Sequence, residues 1–324
     1  MDKAIPAEKD DVVSVGETML YFLGEEYGLL RYNQRFEKFV GGTESNTLIS
    51  LAKLGFKAGW VSRLGEDEFG INIRNFVRGH GVDISRVVLD PTAPTGVFFV
   101  EKNAHDENRS FYYRAGSAAT RMNFAELDLD YITRFRMLHL TGVTAVLSES
   151  CRDLVARLVP AAKEAGMIVS FDPNLRLRLA GIDRFRDIIL PLLPLVDIFL
   201  PTQRELELLM NSGDLDSAID RAIRLGSRRL VIKKGASGAL SVRGGSQVDQ
   251  PAYPLKKVVS SMAAGDAFNA GYAAAVLMNW EEDQALRLAN CMGAMAASAW
   301  GPNEGIPDRE QILAYFSGGK GLER

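Results

Sequence analysis

The sequence predicts an α/β fold: a mainly parallel sheet with helices on both faces and a small β insertion. Three observations carry that prediction. Short apolar runs alternate with helix-like stretches over most of the 324 residues, the pattern of a sheet whose crossovers are helices. Two β-rich runs flanking a polar turn interrupt the alternation. Beyond residue 264 the pattern is helical alone. Hydrophobic types make up 47% of the chain, enough for a core that needs no disulfide or metal to fold.

In chain order, residues 12–15 are a short apolar run that stops at Gly16, as a buried strand does. In residues 45–54, Leu48, Leu51, Ala52 and Leu54 form a helical stripe that stops at Gly55. Residues 60–64 read as the next strand, and Phe69, Ile73, Phe76 and Val77 recur at helical spacing before Gly79 and Gly81. Residues 137–140, 167–171, 198–200 and 230–232 are further short apolar runs, most with a helix beside them, such as 151–165 or 215–225. Residues 95–101 and 109–114 flank a polar turn from Asn103 to Asn108 and read as an antiparallel hairpin. Residues 19–39 are expected to add strands to the same insertion. Helices at 264–278, 282–299 and 309–316 close the chain. With no linker or repeat, the expectation is one domain over 1–324, with lid strands inserted from about 19–40 and 95–114.

A formal net charge of −3 lacks the basic excess of a polyanion-binding surface, so nucleic acid is not expected as a partner. The polar start, residues 1–11, has no apolar signal core. The most apolar stretch, 188–200, is broken by Pro191, Pro194 and Asp197, so no membrane span is expected. The expected location is the cytoplasm. Cys151 and Cys291 read as small buried hydrophobes in a reducing compartment. His80, His105 and His139 show no metal-ligand spacing, which disfavours a zinc site or a His-based triad.

Three small-residue motifs carry the chemistry. In the first, Ala263, Ala264 and Gly265 precede Asp266 at a helix start. Small residues let backbone N–H groups approach an anion there, and the macrodipole favours it. Asp266 reads either as an N-terminal cap or as a general base beside an anion cradle, the pairing that phosphoryl transfer to a hydroxyl needs. In the second, Gly41 and Gly42 open the helix that carries Asn46 and permit close ligand approach. In the third, Lys233 and Lys234 lead to Gly235, Ala236 and Gly238, a tight inter-strand turn that can also border a nucleotide. No Gly-x-x-x-x-Gly-Lys-Ser/Thr loop and no strand-borne Gly-x-Gly-x-x-Gly occurs, so P-loop and dinucleotide folds are disfavoured.

In this order, the stretch from Gly41 to Asn46 and the run Ala263-Ala264-Gly265-Asp266 resemble the two signatures of the ribokinase-like (PfkB) carbohydrate kinases. The resemblance runs from about Val12 to Phe316. Phe111-Tyr112-Tyr113-Arg114-Ala115-Gly116-Ser117-Ala118 and Phe171-Asp172-Pro173-Asn174-Leu175-Arg176 look like motifs of the 2-keto-3-deoxygluconate kinases. The resemblance implies a three-layer α/β/α sandwich with a β-sheet lid, and ATP and Mg²⁺ as cofactors. It implies Asp266 as the base, with Ala263, Ala264 and Gly265 as the anion hole. Gly42, Asn46, Tyr112, Arg114 and Arg176 would then hold or support the sugar. Asn174, Lys234, Gly235, Ala236, Gly238 and Asn290 would border the nucleotide, and Glu205 would reach the metal through water. Arg114 and Arg176 suit two-point contact with a carboxylate.

The chain departs from the wider family at four positions: Ser260 for an acidic residue, Ser261 for threonine, Ala263 for glycine and Thr202 for asparagine. Ser260 leaves any monovalent-cation site open. The expected function is ATP-dependent phosphorylation of 2-keto-3-deoxygluconate to its 6-phosphate. The alternatives are a sister kinase for a neutral sugar such as fructose or ribose, or a non-catalytic sugar-acid binding protein. Exposed lid edges imply a homo-oligomer.

Overall fold

The computed structural model describes residues 9–104 and 108–316. Residues 1–8 of the polar start and 105–107 of the hairpin turn, His105 among them, lie outside the described residues.

The strands, in chain order, are β1 (Asp10–Val15), β2 (Met19–Tyr27), β3 (Phe36–Gly41), β4 (Ala58–Gly65), β5 (Asp83–Asp90), β6 (Val97–Lys102) and β7 (Arg109–Tyr113). They continue with β8 (Phe135–Thr141), β9 (Ile168–Asp172), β10 (Ile198–Phe199), β11 (Arg229–Lys233), β12 (Ala239–Arg243) and β13 (Ser246–Gln250). The main sheet has nine described strands in the order β13-β12-β11-β10-β9-β8-β1-β4-β5. From β5 across to β11 every pairing is parallel, and β11–β12–β13 is an antiparallel edge.

Successive residues of the central strands feed different cores, as a side-chain period of two requires. Val13, Leu138 and Phe199 pack in one cluster with Leu154 and Leu158 of helix Glu149–Glu164. Val12, Met137 and Ile198 pack in the other with Leu48 and Leu51 of helix Thr43–Lys53 and Phe268 of helix Ala264–Leu277. Both faces are therefore covered, and the apolar runs are continuous for that reason. The β1 run stops at Gly16 because a Cβ there would lie 2.2 Å from Cδ of the buried Glu44.

The insertion folds as a separate four-stranded sheet, β3-β2-β6-β7, drawn from the two stretches expected to supply it. Its inner face buries Tyr21 between Phe39 and Phe98, with ring centroids 5.1 and 4.9 Å away, and Phe98 meets Tyr112 at 5.0 Å. Met262, from the loop before helix Ala264–Leu277, packs against this cluster. That contact brings the helix start beneath the small sheet.

Two features escaped the apolar-run reading. β5 is an edge strand with only Asp90 fully buried, and β13 is a polar edge strand with none. An edge strand facing solvent loses the apolar signature that marks a central one. Both cysteines are buried free thiols. No helix among the described residues is long and apolar enough to cross a membrane.

Candidate active site

The C-terminal ends of β9 and β11 and the first turns of helices Thr43–Lys53 and Ala264–Leu277 converge at one end of the main sheet's strands, where Met262 meets the small sheet. Open α/β sheets bind ligands at such strand ends. Gly42 begins the first of these helices in extended backbone, φ −160°. A Cβ at Gly42 would sit 2.4 Å from the Glu17 carbonyl oxygen, so the fold itself needs glycine there.

Asp266 occupies the first turn of helix Ala264–Leu277 and is buried. The Thr43 hydroxyl donates to its Oδ1 at 2.6 Å and Asn46 Nδ2 donates to Oδ2 at 2.8 Å. Asn46 is itself held by Asn303, whose Nδ2 donates to Asn46 Oδ1 at 3.3 Å. Burial pushes the Asp266 carboxyl above the ordinary carboxylate range, and nearby Asp172 adds to this. The two donors and the Arg176 charge pull the other way. The result is a carboxylate fixed in direction yet raised in basicity, which is the requirement for a general base.

The helix start beside it carries backbone donors that the fold leaves unpaired. The N–H groups of Gly265 and Asp266 have no acceptor among the described residues, while Ala267 N–H already bonds Ala263 O at 2.9 Å. Ala264 N–H reaches Ser261 O at 3.3 Å, a long bond. A Cβ at Gly265 would meet only Lys233 Nζ, at 3.7 Å, so the fold does not demand glycine there. Ala263 caps the helix with φ +59°, left-handed backbone that glycine takes more readily. Alanine at this position therefore strains the backbone of the turn.

A buried cluster beneath this turn was not singled out in the sequence. Lys233 Nζ bonds Asp172 Oδ2 at 2.7 Å and Asn269 Oδ1 at 3.3 Å, and Asn269 Nδ2 donates to the same Asp172 oxygen at 2.6 Å. The other Asp172 oxygen accepts from Asn174 N–H at 2.9 Å, and Asn174 Nδ2 donates to Thr43 Oγ1 at 3.0 Å. One polar network thus links Lys233 to Asp266. Both Asp172 and Lys233 stood inside quoted motifs, and a lysine ending an apolar strand was the available signal.

The other expected site residues are placed as follows. Tyr112 lines the inner face of the small sheet. Arg114 is buried and ion-paired with Glu17, so its guanidinium does not stand free. Arg176 is exposed, and among the described residues its side chain has no hydrogen-bond or ion-pair partner. Asn174 adopts φ +37°. Lys234 is ion-paired with Asp249 at 2.7 Å. Gly235 and Gly238 have φ of +58° and +90°, with Ala236 exposed between them. Asn290 Nδ2 donates to Pro251 O at 3.0 Å and joins its helix to the end of β13.

Glu205 completes a capping box with Thr202: Oε2 accepts from Thr202 N–H and hydroxyl, both at 2.8 Å. Its Oε1 accepts from Leu175 N–H at 2.7 Å. Thr202 therefore keeps the helix start capped. No group of three or more metal-ligating side chains occurs among the described residues.

Comparison with known proteins identifies the family of the chain. The chain is 33% identical to 2-dehydro-3-deoxygluconokinase of Bacillus subtilis over 95% of its own length and 96% of the relative's. It is 31% identical to fructokinase-1 of Oryza sativa, over 93% and 96% respectively. Its fold superposes with a TM-score of 0.87 on an E. coli protein described as a ribokinase II, solved with ATP and Mg²⁺, at 25% identity over 95% and 99%. Residues 9–309 match the pfkB family carbohydrate kinases, and the chain belongs to that family, as a carbohydrate kinase of ribokinase-like fold.

Proposed function

We propose that the enzyme transfers the γ-phosphoryl group of ATP to the 6-hydroxyl of 2-keto-3-deoxygluconate. The observation that carries this reading is Asp266, oriented by Thr43 and Asn46 beside the unpaired N–H groups of the helix start. Asp266 takes the hydroxyl proton as the oxygen attacks in line. The N–H groups at Gly265 and Asp266, with those of Ala263 and Ala264 beside them, receive the charge that builds on the phosphoryl oxygens, and Lys233 Nζ, although paired with Asp172, is a further N–H donor directly below. Gly42 allows close approach of the sugar, Tyr112 and Arg114 wall its pocket, and Arg176 is free to meet the carboxylate. Gly235, Ala236 and Gly238 border the nucleotide, with Lys234 and Asn290 bracing that turn.

Magnesium travels on the nucleotide phosphates and keeps several waters, so it needs few protein ligands. The donor set fits this use: Glu205 Oε1 accepts one bond and retains a lone pair for a metal-bound water, with Asn174 alongside. When bound, the ion neutralises charge on the phosphates. The small sheet excludes water, its outer strands are suited to pairing with a second copy of the chain, and the free buried thiols suit the cytoplasm.

The relative named a fructokinase supports a second reading, in which the acceptor is a neutral ketose. Turnover on 2-keto-3-deoxygluconate and on fructose separates the two. The acid is expected to be preferred, and Asp266→Asn is expected to lower kcat about 10²–10⁴-fold on either. A preference for fructose replaces the sugar-acid reading, and Asp266→Asn retaining more than about a tenth of kcat removes Asp266 as the base.

A further inference from the structure

Glu17 lies in the short passage from β1 of the main sheet to β2 of the small one, and Arg114 directly follows β7, where the chain leaves the small sheet. The two side chains form an ion pair, with Glu17 1% and Arg114 8% exposed. Arg114 Nη2 bonds Glu17 Oε2, and the Ser117 hydroxyl donates to Glu17 Oε1 at 2.7 Å. Room for the pair comes from Gly96, where a Cβ would stand 2.7 Å from Glu17 Oε1 and 3.3 Å from Arg114 Cβ. Arg114 Nε is buried and has no acceptor among the described residues. The guanidinium carbon lies 5.8 Å from the centre of the Tyr112 ring, which packs on the inner face of the small sheet.

We infer that Glu17 is a specificity-positioning residue: it neutralises Arg114 and fixes its fork, so that Arg114 serves the sugar as an oriented hydrogen-bond donor and exposed Arg176 supplies the net positive charge. This rests on the sugar reading proposed above and divides its two arginines by task. A buried pair in low dielectric presents little net field to a ligand, whereas an unpaired arginine would attract any anion strongly. Glu17 also joins the entry to the small sheet to its exit, so Arg114 is held relative to both sheets at once.

The test is the ratio of kcat/KM for 2-keto-3-deoxygluconate to kcat/KM for fructose. It is measured in the wild type, Glu17→Gln, Arg114→Gln, the double variant Glu17→Gln/Arg114→Gln, and Arg176→Gln. Glu17→Gln is expected to raise the ratio about fivefold or more, because Arg114 then carries an uncompensated charge. The double variant, uncharged at both positions, is expected to return within about threefold of the wild-type ratio. It removes the buried charges together and so keeps the comparison available if Glu17→Gln alone does not fold. Arg176→Gln is expected to lower the ratio at least tenfold. A double variant that loses the preference as fully as Arg176→Gln overturns the inference, since Arg114 would then be a carboxylate ligand in its own right. An unchanged ratio in a folded Glu17→Gln also overturns it. A wild type that prefers fructose overturns the sugar-acid reading instead, while the shift caused by Glu17→Gln still tests the role of Glu17.

Discussion

Lys233 and Asp172 form a 2.7 Å ion pair at the ends of β11 and β9, directly beneath the first turn of helix Ala264–Leu277. Their side chains are 10% and 1% exposed, and Asn269 bridges them. The pair is therefore a buried structural contact that also places the Lys233 Nζ donor directly below the helix start.

Those two roles separate by mutation. Lys233→Met leaves Asp172 charged and buried, which is expected to cost about 3–5 kcal/mol. Lys233→Met/Asp172→Asn is expected to recover most of that stability without recovering turnover. Denaturant midpoints and kcat on the same samples check it; recovery of both would leave Lys233 with a structural role only.

Gly265 is the position where fold and function part. A Cβ there meets nothing closer than Lys233 Nζ at 3.7 Å. Gly265→Ala is expected to leave stability unchanged or raise it by up to about 1 kcal/mol. Turnover is expected to fall at least tenfold, because the methyl group occupies the anion's approach. An active Gly265→Ala would move the phosphate site elsewhere.

Ala263 carries strain that glycine does not. With φ +59°, Ala263→Gly is expected to stabilise the protein by about 0.5–1 kcal/mol, against the usual direction of an alanine-to-glycine change. A lower Tm for the variant would contradict the strain.

Glu44 makes a pH signature. Thr141 and Thr144 hydroxyls both donate to its Oε1 at 2.6 Å, and Oε2 has no partner among the described residues. Burial pushes its carboxyl up to about 7 from an ordinary 4.5, with Asp266 adding to the rise. Between those values the native state holds a proton that the unfolded chain has released, so stability is lost as pH rises through the window. The loss amounts to about 3 kcal/mol. Glu44→Gln is expected to remove that slope, so unfolding free energies of wild type and variant converge at acid pH and separate between pH 4.5 and 7. Parallel curves would exclude Glu44 as the titrating group.

Much of the site was legible because its chemistry is local. Asp266, its small neighbours and the Gly41-Gly42 turn are contiguous stretches whose residue types state what the backbone does. Lys233 was harder to choose than Lys234: adjacent residues leave a strand end in different directions, and only packing shows that Lys233 meets Asp172 while Lys234 meets Asp249. Glu17 carried no sequence signal, because its partner Arg114 is 97 residues away.

The sequence by itself determined the layered α/β architecture, the inserted strands and the helix start that carries Asp266, since apolar period and helix-start chemistry are written residue by residue. The tertiary structure alone decided which charges are free. Arg114 and Arg176 look alike in sequence as candidate carboxylate ligands, yet one is neutralised in the interior by Glu17 and the other stands exposed and unpaired among the described residues. Pairing between groups far apart in the chain depends on the crossing of the two sheets, and desolvation then fixes what each charge can do.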